Sequence, residues 1–247
     1  MKAVFGLFLL VAASSAYVIG DVPLLGNSLD DLITEALEYV RSLLKKHDPY
    51  TIPPMPDQHL VDTDIDFTIA THDVKVSNAG DFTIDKISNN IPLLMASFAV
   101  SVPTAHITGN YKISGTAFQK KVEGEGTFVL DVTKLVESGD IHFGFVDHSL
   151  QITTLNLDYS IEGIQTTITG LTIECMTQEE IEDMLNKQFL TYLNNNKPFV
   201  TGKVGNHVKE IANALIKGKS LNEIIQWLKQ LVSSTTDPLP FTFLPLM

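Results

Sequence analysis

The chain of 247 residues has a single cysteine, Cys175. One thiol excludes an intramolecular disulfide, so the stability of the fold has to come from packing. It also leaves no cysteine partner for a zinc site. Cys175 ends an apolar stretch, "LTIECMT", so we expect a buried and inert thiol.

Positive charge is scarce. The chain has 17 Lys and Arg against 29 Asp and Glu, which gives a formal net charge of −12. Nucleic acids and anionic lipid surfaces are repelled at long range by such a chain, because their affinity for proteins depends on neutralising phosphates. We therefore expect no nucleic-acid partner.

Catalytic and metal-binding motifs are missing. The seven histidines form no H-x-H and no H-E-x-x-H pattern, and no G-x-S-x-G elbow is present. The carboxylates of the C-terminal region follow the polar side or first turn of a predicted helix, where they favour the helix dipole. We expect neither an enzyme, nor a metal site, nor a cofactor.

Long apolar runs are absent as well. The longest, Ala3 to Ala13, has 11 residues, whereas a membrane-spanning helix needs about 20. Lys2 precedes this run and small residues follow it, which predicts a signal peptide at residues 1–20. We expect a mature chain that starts between Tyr17 and Asp21, loses Lys2 (−12 − 1 = −13) and is secreted as one domain, 21–247.

What is present is a change of period along the chain. Apolar residues recur at helical spacing from about Ser28 to Lys46, and "HDPYTIPPMP" then ends the helix. From about residue 60 to 175 the period is two, which predicts antiparallel strands, with turn signals at "SNAGD", "SNN", "ESGD" and "EG". Capping boxes at Thr177 and Ser220 open C-terminal helices, which "NNNKP" interrupts.

These elements predict an α+β fold in which a curved antiparallel sheet surrounds the long helix and the C-terminal helices cover the rest. Such an interior is elongated and apolar. Periodicity alone leaves open whether side chains or a ligand fill it.

The stretch "YKISGTAFQKKVEGEGTF" contains Gly115, Gly124 and Gly126. A phosphate-binding loop would have its third glycine at Val129, and the flanking residues alternate as strands do. These glycines therefore indicate bends or a close backbone approach within the sheet.

The same residues carry a resemblance. "Y-x-I-x-G" followed by "G-x-G", from Tyr111 to Gly126, resembles the insect haemolymph juvenile-hormone-binding and takeout-like proteins, and "LNNNK" at 193–197 is similar to a takeout-like position. The segment "HDPYTIPPMPD" is similar to the mite group 7 allergen family. The lack of any cysteine before Cys175 favours that family, because juvenile-hormone-binding and takeout-like proteins usually carry a disulfide near the N-terminus. Both families belong to the tubular lipid-binding superfamily.

The resemblance implies a super-roll fold with a tubular cavity for a hydrophobic small molecule such as a lipid, fatty acid or terpenoid-like compound. Strand positions of one parity become candidate ligand-binding residues, although each is also a candidate core residue. They are Phe67, Ile69, Ala96, Phe98, Val100, Tyr111, Ile113, Phe143, Phe145, Leu155 and Leu157.

An alternative function is a secreted protein that interacts with a membrane or microbial surface without a dedicated soluble ligand. The apolar tail "DPLPFTFLPLM" could make transient contact with an interface. It could equally pack back on the body of the protein. The sequence leaves the oligomeric state open.

Overall fold

The computed structural model describes residues 29–52, 56–146 and 149–233. The expected signal peptide at 1–20, the predicted start of the first helix at Ser28 and the apolar tail lie outside these ranges. Those expectations, and the assignment of 21–247 to one domain, stay predictions.

Helix α1 spans Leu29–Lys46 and confirms the helix predicted there. Asp30 and Asp31 lie in its first turn and Lys45 and Lys46 in its last, which complements the helix dipole. One face is buried throughout. It consists of Leu29, Leu32, Ile33, Ala36, Leu37, Val40, Leu43 and Leu44.

In the part of the chain that the structure describes, eight strands form one antiparallel sheet. Their bounds are β1 Tyr50–Thr51, β2 Gln58–Asp62, β3 Ile65–Ser77, β4 Thr83–Asn90, β5 Met95–Ala117, β6 Lys120–Val146, β7 Ser149–Ile168 and β8 Leu171–Ile173. The main path runs β1-β3-β5-β6-β7, with β2 paired to β3, β4 to β5 and β8 to β6. The sheet is open, with β7 at one end of the path. The predicted antiparallel sheet with helices is confirmed.

Two predicted turns were wrong. "ESGD" (137–140) lies inside β6, and "EG" (162–163) lies inside β7. Glu137 pairs with Val100 on one side and Tyr159 on the other, and the two ladders continue beyond Asp140. Because backbone hydrogen bonds to both neighbours hold this stretch extended, tertiary pairing outweighs its turn-like composition.

The glycines of the stretch 111–128 confirm a close approach within the sheet. Gly115 has φ +147°, and a Cβ atom there would lie 2.3 Å from the Asp66 carbonyl oxygen. A Cβ atom at Gly126 would lie 2.2 Å from the carbonyl oxygen of Thr169. Both distances are far shorter than a van der Waals contact, so only glycine fits at these two places.

The C-terminal region is helical, as predicted. It contains α2 Gln178–Asp183, a π-helical turn Met184–Gln188, α3 Phe189–Asn195, α4 Lys197–Ile216 and α5 Leu221–Ser233. The predicted capping boxes form: Thr177 N–H donates to Glu180 Oε2 at 2.7 Å, and Ser220 N–H donates to Glu223 Oε2 at 2.7 Å. The predicted interruption falls at Asn196, between α3 and α4.

Three apolar clusters follow one another along β5. The first cluster joins α1 and α5 to strands β3, β5, β6 and β7, and it contains Leu37, Val100, Leu135, Tyr159 and Leu228. The second cluster joins α4 to β5, β6 and β7 around Phe98 and Ile141. The third cluster joins α2 to β5, β6 and β8 around Tyr111 and Ile181.

Candidate ligand-binding interior

Five of the predicted ligand-binding positions come together in the second cluster. Ala96, Phe98 and Phe143 are buried there, and Leu155 and Leu157 are half-buried against it. Helix α4 covers this part of the sheet with Val208, Ala212 and Ile216. The result is an apolar layer between a helix and three long strands.

The remaining six positions are spread over the sheet. Val100 belongs to the first cluster, whereas Tyr111 and Ile113 belong to the third. Phe67 and Ile69 are half-buried on β3, opposite Gly115 and Ile113. Phe145 is 52% exposed near the end of β6. The predicted ligand-binding positions are therefore distributed over all three clusters, and one of them, Phe145, lies at the surface.

Helix α4 is held to the end strand β7 by a side-chain amide as well as by apolar contact. Asn213 Oδ1 accepts a hydrogen bond from Ile152 N–H at 2.7 Å, and its Nδ2 donates to the Ile152 carbonyl oxygen at 3.0 Å. Asn186 makes the same pair of bonds to Thr166, at 2.6 and 3.0 Å. Each amide substitutes for a neighbouring strand, which satisfies backbone groups that an end strand would otherwise leave open.

A glycine brings α4 close to the sheet. Gly205 is buried, and a Cβ atom at that position would lie 3.6 Å from Leu157 Cδ1. That is ordinary van der Waals contact, so the helix backbone already lies against the Leu157 side chain with little space between them.

Two buried tyrosines have protein partners for their hydroxyl groups. The Tyr111 hydroxyl donates to the Thr169 carbonyl oxygen at 2.9 Å, and that of Tyr159 donates to the Leu193 carbonyl oxygen at 2.8 Å. Burial raises the pKa of both phenols above their ordinary value. Their main role is structural, because each ties a strand to a neighbouring segment.

Glu137 is a buried residue that the sequence patterns did not identify. It lies within the supposed turn "ESGD", yet its side chain is 2% exposed. Burial raises the pKa of this carboxyl from an ordinary 4.5 to about 8. The sequence offered one signal: Leu135, Glu137, Gly139 and Ile141 share a parity with the apolar positions of β6.

Cys175 departs from its predicted position. The thiol is exposed and not buried. The apolar strand β8 ends two residues earlier, at Ile173, and Cys175 adopts a positive φ of 58°. The chain turns there, so the alternation that would have buried the side chain no longer applies.

A depression of about 420 Å³ lies over β3, β5 and β6. Five of its seven lining residues are polar or charged, and Tyr111 is the one predicted binding position in it. The Lys112 ammonium and the Glu125 carboxylate, both residues of the lining, form an exposed ion pair at 3.0 Å. This chemistry does not match an apolar ligand site.

Within the described ranges, no group of three or more His, Cys, Asp or Glu side chains could hold a metal ion. Nor is any helix among residues 29–52, 56–146 and 149–233 both long and apolar enough to cross a bilayer.

The family model for the haemolymph juvenile hormone binding protein (JHBP) matches residues 20–226. The chain belongs to this family. Its members are binding proteins and not enzymes, and the match confirms the resemblance to juvenile-hormone-binding and takeout-like proteins.

Solved structures include two similar chains. Takeout 1 of Epiphyas postvittana is 14% identical, with a TM-score of 0.45 over 81% of this JHBP-family chain and 86% of the takeout chain. A lipopolysaccharide binding protein is 16% identical, with a TM-score of 0.26 over 76% of this chain and 37% of the other. A comparison with curated protein sequences gives no match.

Proposed function

We propose that this protein is a secreted carrier that binds a hydrophobic small molecule between its sheet and its helices. The observation that carries this proposal is the family match over residues 20–226, because that family is named for binding a hydrophobic hormone. The ligand class is a lipid, a fatty acid or a terpenoid-like compound. No catalytic step is part of the proposal.

The apolar layer under α4 supports a binding interior. We propose that Ala96, Phe98, Phe143, Leu155 and Leu157 contact the ligand there. Val100 and the positions of the third cluster extend the same face along the strands. A long apolar ligand would follow this direction.

Water exclusion supplies enough free energy for such a ligand. Burial of ten methylene groups at about 0.8 kcal/mol each contributes on the order of 8 kcal/mol before ordering costs. An affinity of that size corresponds to a dissociation constant of about 1 μM. No charged group is needed for binding of this strength.

Secretion is supported by the extent of the family match, which begins at residue 20, the last residue of the predicted signal peptide. The acidic composition, with a net charge of −12, bears on the carrier function instead, because such a protein stays off anionic membrane surfaces. N-terminal sequencing of the secreted protein should therefore find a start between Tyr17 and Asp21, and an intact Met1 would contradict secretion by this route.

Ligand binding is tested with the full secreted protein. Native mass spectrometry and lipid extraction should reveal a co-purified hydrophobic molecule, and unlabelled lipids should displace a fluorescent fatty acid saturably. A protein with no co-purified ligand and no saturable displacement would overturn the carrier function.

Two substitutions locate the site. Ala96→Trp and Val100→Trp add volume at buried positions of β5 that are 5% and 0% exposed. A wall of a ligand cavity accepts this volume and loses the ligand, whereas a solid core is strained by about 1–3 kcal/mol. We expect retained folding with lost binding for both variants.

Val136→Trp is the matched control, since Val136 is 38% exposed on β6. It should bind as the unmodified protein does. Unfolding of both β5 variants would show a solid core and contradict a site at these positions.

A further inference from the structure

One carboxyl group is buried in the interior of the sheet that the structure describes. Among the described residues, Glu137 is the one polar or charged residue in the buried set, with 2% exposure. Its Oε2 is buried and has no hydrogen-bond partner within those residues. A carboxyl oxygen in this state costs free energy in the folded protein, so a hydrogen-bond partner from outside the described residues, such as a ligand, would stabilise it.

Glu137 lies where the first and second clusters meet. Its cross-strand neighbours are Val100 and Tyr159, which both belong to the first cluster. Two residues further along β6, Gly139 pairs with Phe98 and Leu157 of the second cluster. A molecule that lay along the strands across both clusters would pass the carboxyl group.

The protonation state decides what this carboxyl can bind. Because burial raises its pKa to about 8, the group is mostly protonated at neutral pH. A protonated carboxyl donates one hydrogen bond, and it can do so without placing a charge in the interior.

The two buried tyrosine hydroxyl groups of the described sheet donate to backbone carbonyl oxygens and not to Glu137, whose Oε2 has no partner among the described residues. Tyr159, directly across the ladder, donates its proton to the Leu193 carbonyl oxygen. The next buried hydroxyl on the interior face of the described sheet, that of Tyr111, donates to the Thr169 carbonyl oxygen in the third cluster.

We propose that Glu137 donates a hydrogen bond to a neutral oxygen atom of the bound ligand. The preferred ligand is then an otherwise apolar molecule with an ester, ketone or aldehyde carbonyl, and not a pure hydrocarbon. This inference rests on the proposed carrier function. An ionised head group fits less well, because it would bring a charge into an interior in which the described residues bury no Lys or Arg side chain.

The test compares methyl laurate with the linear hydrocarbon of equal heavy-atom count. Both compete with a neutral fluorescent dye for the purified full-length protein at pH 7. For the unmodified protein we expect methyl laurate to bind about tenfold more tightly, as one buried hydrogen bond implies.

Three variants assign this preference to one side chain. Glu137→Leu should bind both compounds equally, whereas Glu137→Gln, whose amide still donates, should keep most of the preference for the ester. Glu125→Gln, an exposed position on the same strand, is the matched control and should behave as the unmodified protein does. An undiminished ester preference in Glu137→Leu would overturn the inference.

Infrared difference spectroscopy gives a second measurement that a purely structural role would leave unchanged. Addition of methyl laurate should shift the carbonyl stretch of a protonated carboxyl group in the unmodified protein, and this shift should be absent in Glu137→Gln. Equal binding of ester and hydrocarbon to the unmodified protein overturns the inference alone. Failure of both compounds to displace the dye overturns the carrier function together with it.

Discussion

Helices α1 and α4 lie against the same sheet but are held in different ways. Helix α1 buries eight of its 18 residues, and all eight are apolar. Helix α4 buries four of its 20 and adds the paired hydrogen bonds of Asn213 to β7. Apolar burial is non-directional, whereas an amide bonded to one backbone residue fixes a helix along a strand.

This difference indicates which part of the interior can accommodate a ligand. The first cluster depends mainly on apolar volume and water exclusion, so a change of shape there acts directly on stability. The second cluster has a helix whose position is fixed independently of its apolar contacts. A ligand could therefore replace side-chain contacts beneath α4 while Asn213 keeps the helix in place.

The largest expected effect is at the centre of α1. Leu37 is 1% exposed, so Leu37→Asp places an unpaired carboxylate in the first cluster at a cost of several kcal/mol. We expect an unfolded protein by circular dichroism. Leu37→Met, which conserves volume, should lose less than about 1.5 kcal/mol. A melting temperature for Leu37→Asp equal to that of the unmodified protein would contradict the packing of α1.

The second effect is a pH dependence at Glu137, where the two clusters meet. Its folded pKa of about 8 exceeds the unfolded value of 4.5, so the folded state binds the proton more tightly. Stability is therefore fully present below about 4.5, falls as the pH rises towards 8 and is constant above it. The difference between the two pKa values corresponds to a loss of up to about 5 kcal/mol.

Denaturant unfolding from pH 4 to 9 measures this loss. Glu137→Gln should be less sensitive to pH over that window. Tyr159, the ionisable neighbour across the ladder, has a pKa raised by burial and does not titrate there, and the buried faces of α1 and α5 are apolar. Parallel pH curves for the variant and the unmodified protein would show that Glu137 is not buried.

A smaller effect is expected where α4 meets β7. Asn213→Ala leaves the N–H and the carbonyl group of Ile152 without their partner, which should cost about 1–3 kcal/mol. Asn206→Ala, an exposed position on the same helix, is the control and should be close to neutral. If the two variants unfold at the same denaturant concentration, the amide pair does not fix α4.

The smallest effect is at the first turn of α2. Thr177→Ala removes the hydroxyl that accepts from Glu180 N–H, and the loss of such a cap costs about 1 kcal/mol. Thr177→Ser keeps the hydroxyl and should retain most of that stability. Equal losses in the two variants, measured by thermal unfolding, would mean that the cap contributes nothing.

Much of the fold could be predicted because local patterns and long-range packing agree. The face of α1, the capping boxes at Thr177 and Ser220 and the alternation of Ala96, Phe98 and Val100 all follow from spacing. The lengths of β6 and β7 could not be predicted, because polar and glycine residues inside them resemble turns. Only pairing with a strand on either side keeps those residues extended.

The candidate site was predictable in part. Alternation with a period of two residues identified Phe98 and Phe143 as interior residues. It could not predict which cluster each position would join, nor that Phe145 would lie at the surface. The role of Asn213 also had no local signal. Its partner, Ile152, is 61 residues away in the sequence and becomes a neighbour only when α4 packs on β7.

By itself, the sequence determined the period of each segment, the helix caps and the lack of a disulfide, since these depend on side chains a few residues apart. The tertiary structure decided the burial and the protonation state of Glu137. In isolation, "ESGD" is polar and turn-like, and a carboxyl group in water ionises near 4.5. Paired between Val100 and Tyr159, the same carboxyl loses its contact with water and holds its proton to about 8, because a charge is costly where solvent is excluded.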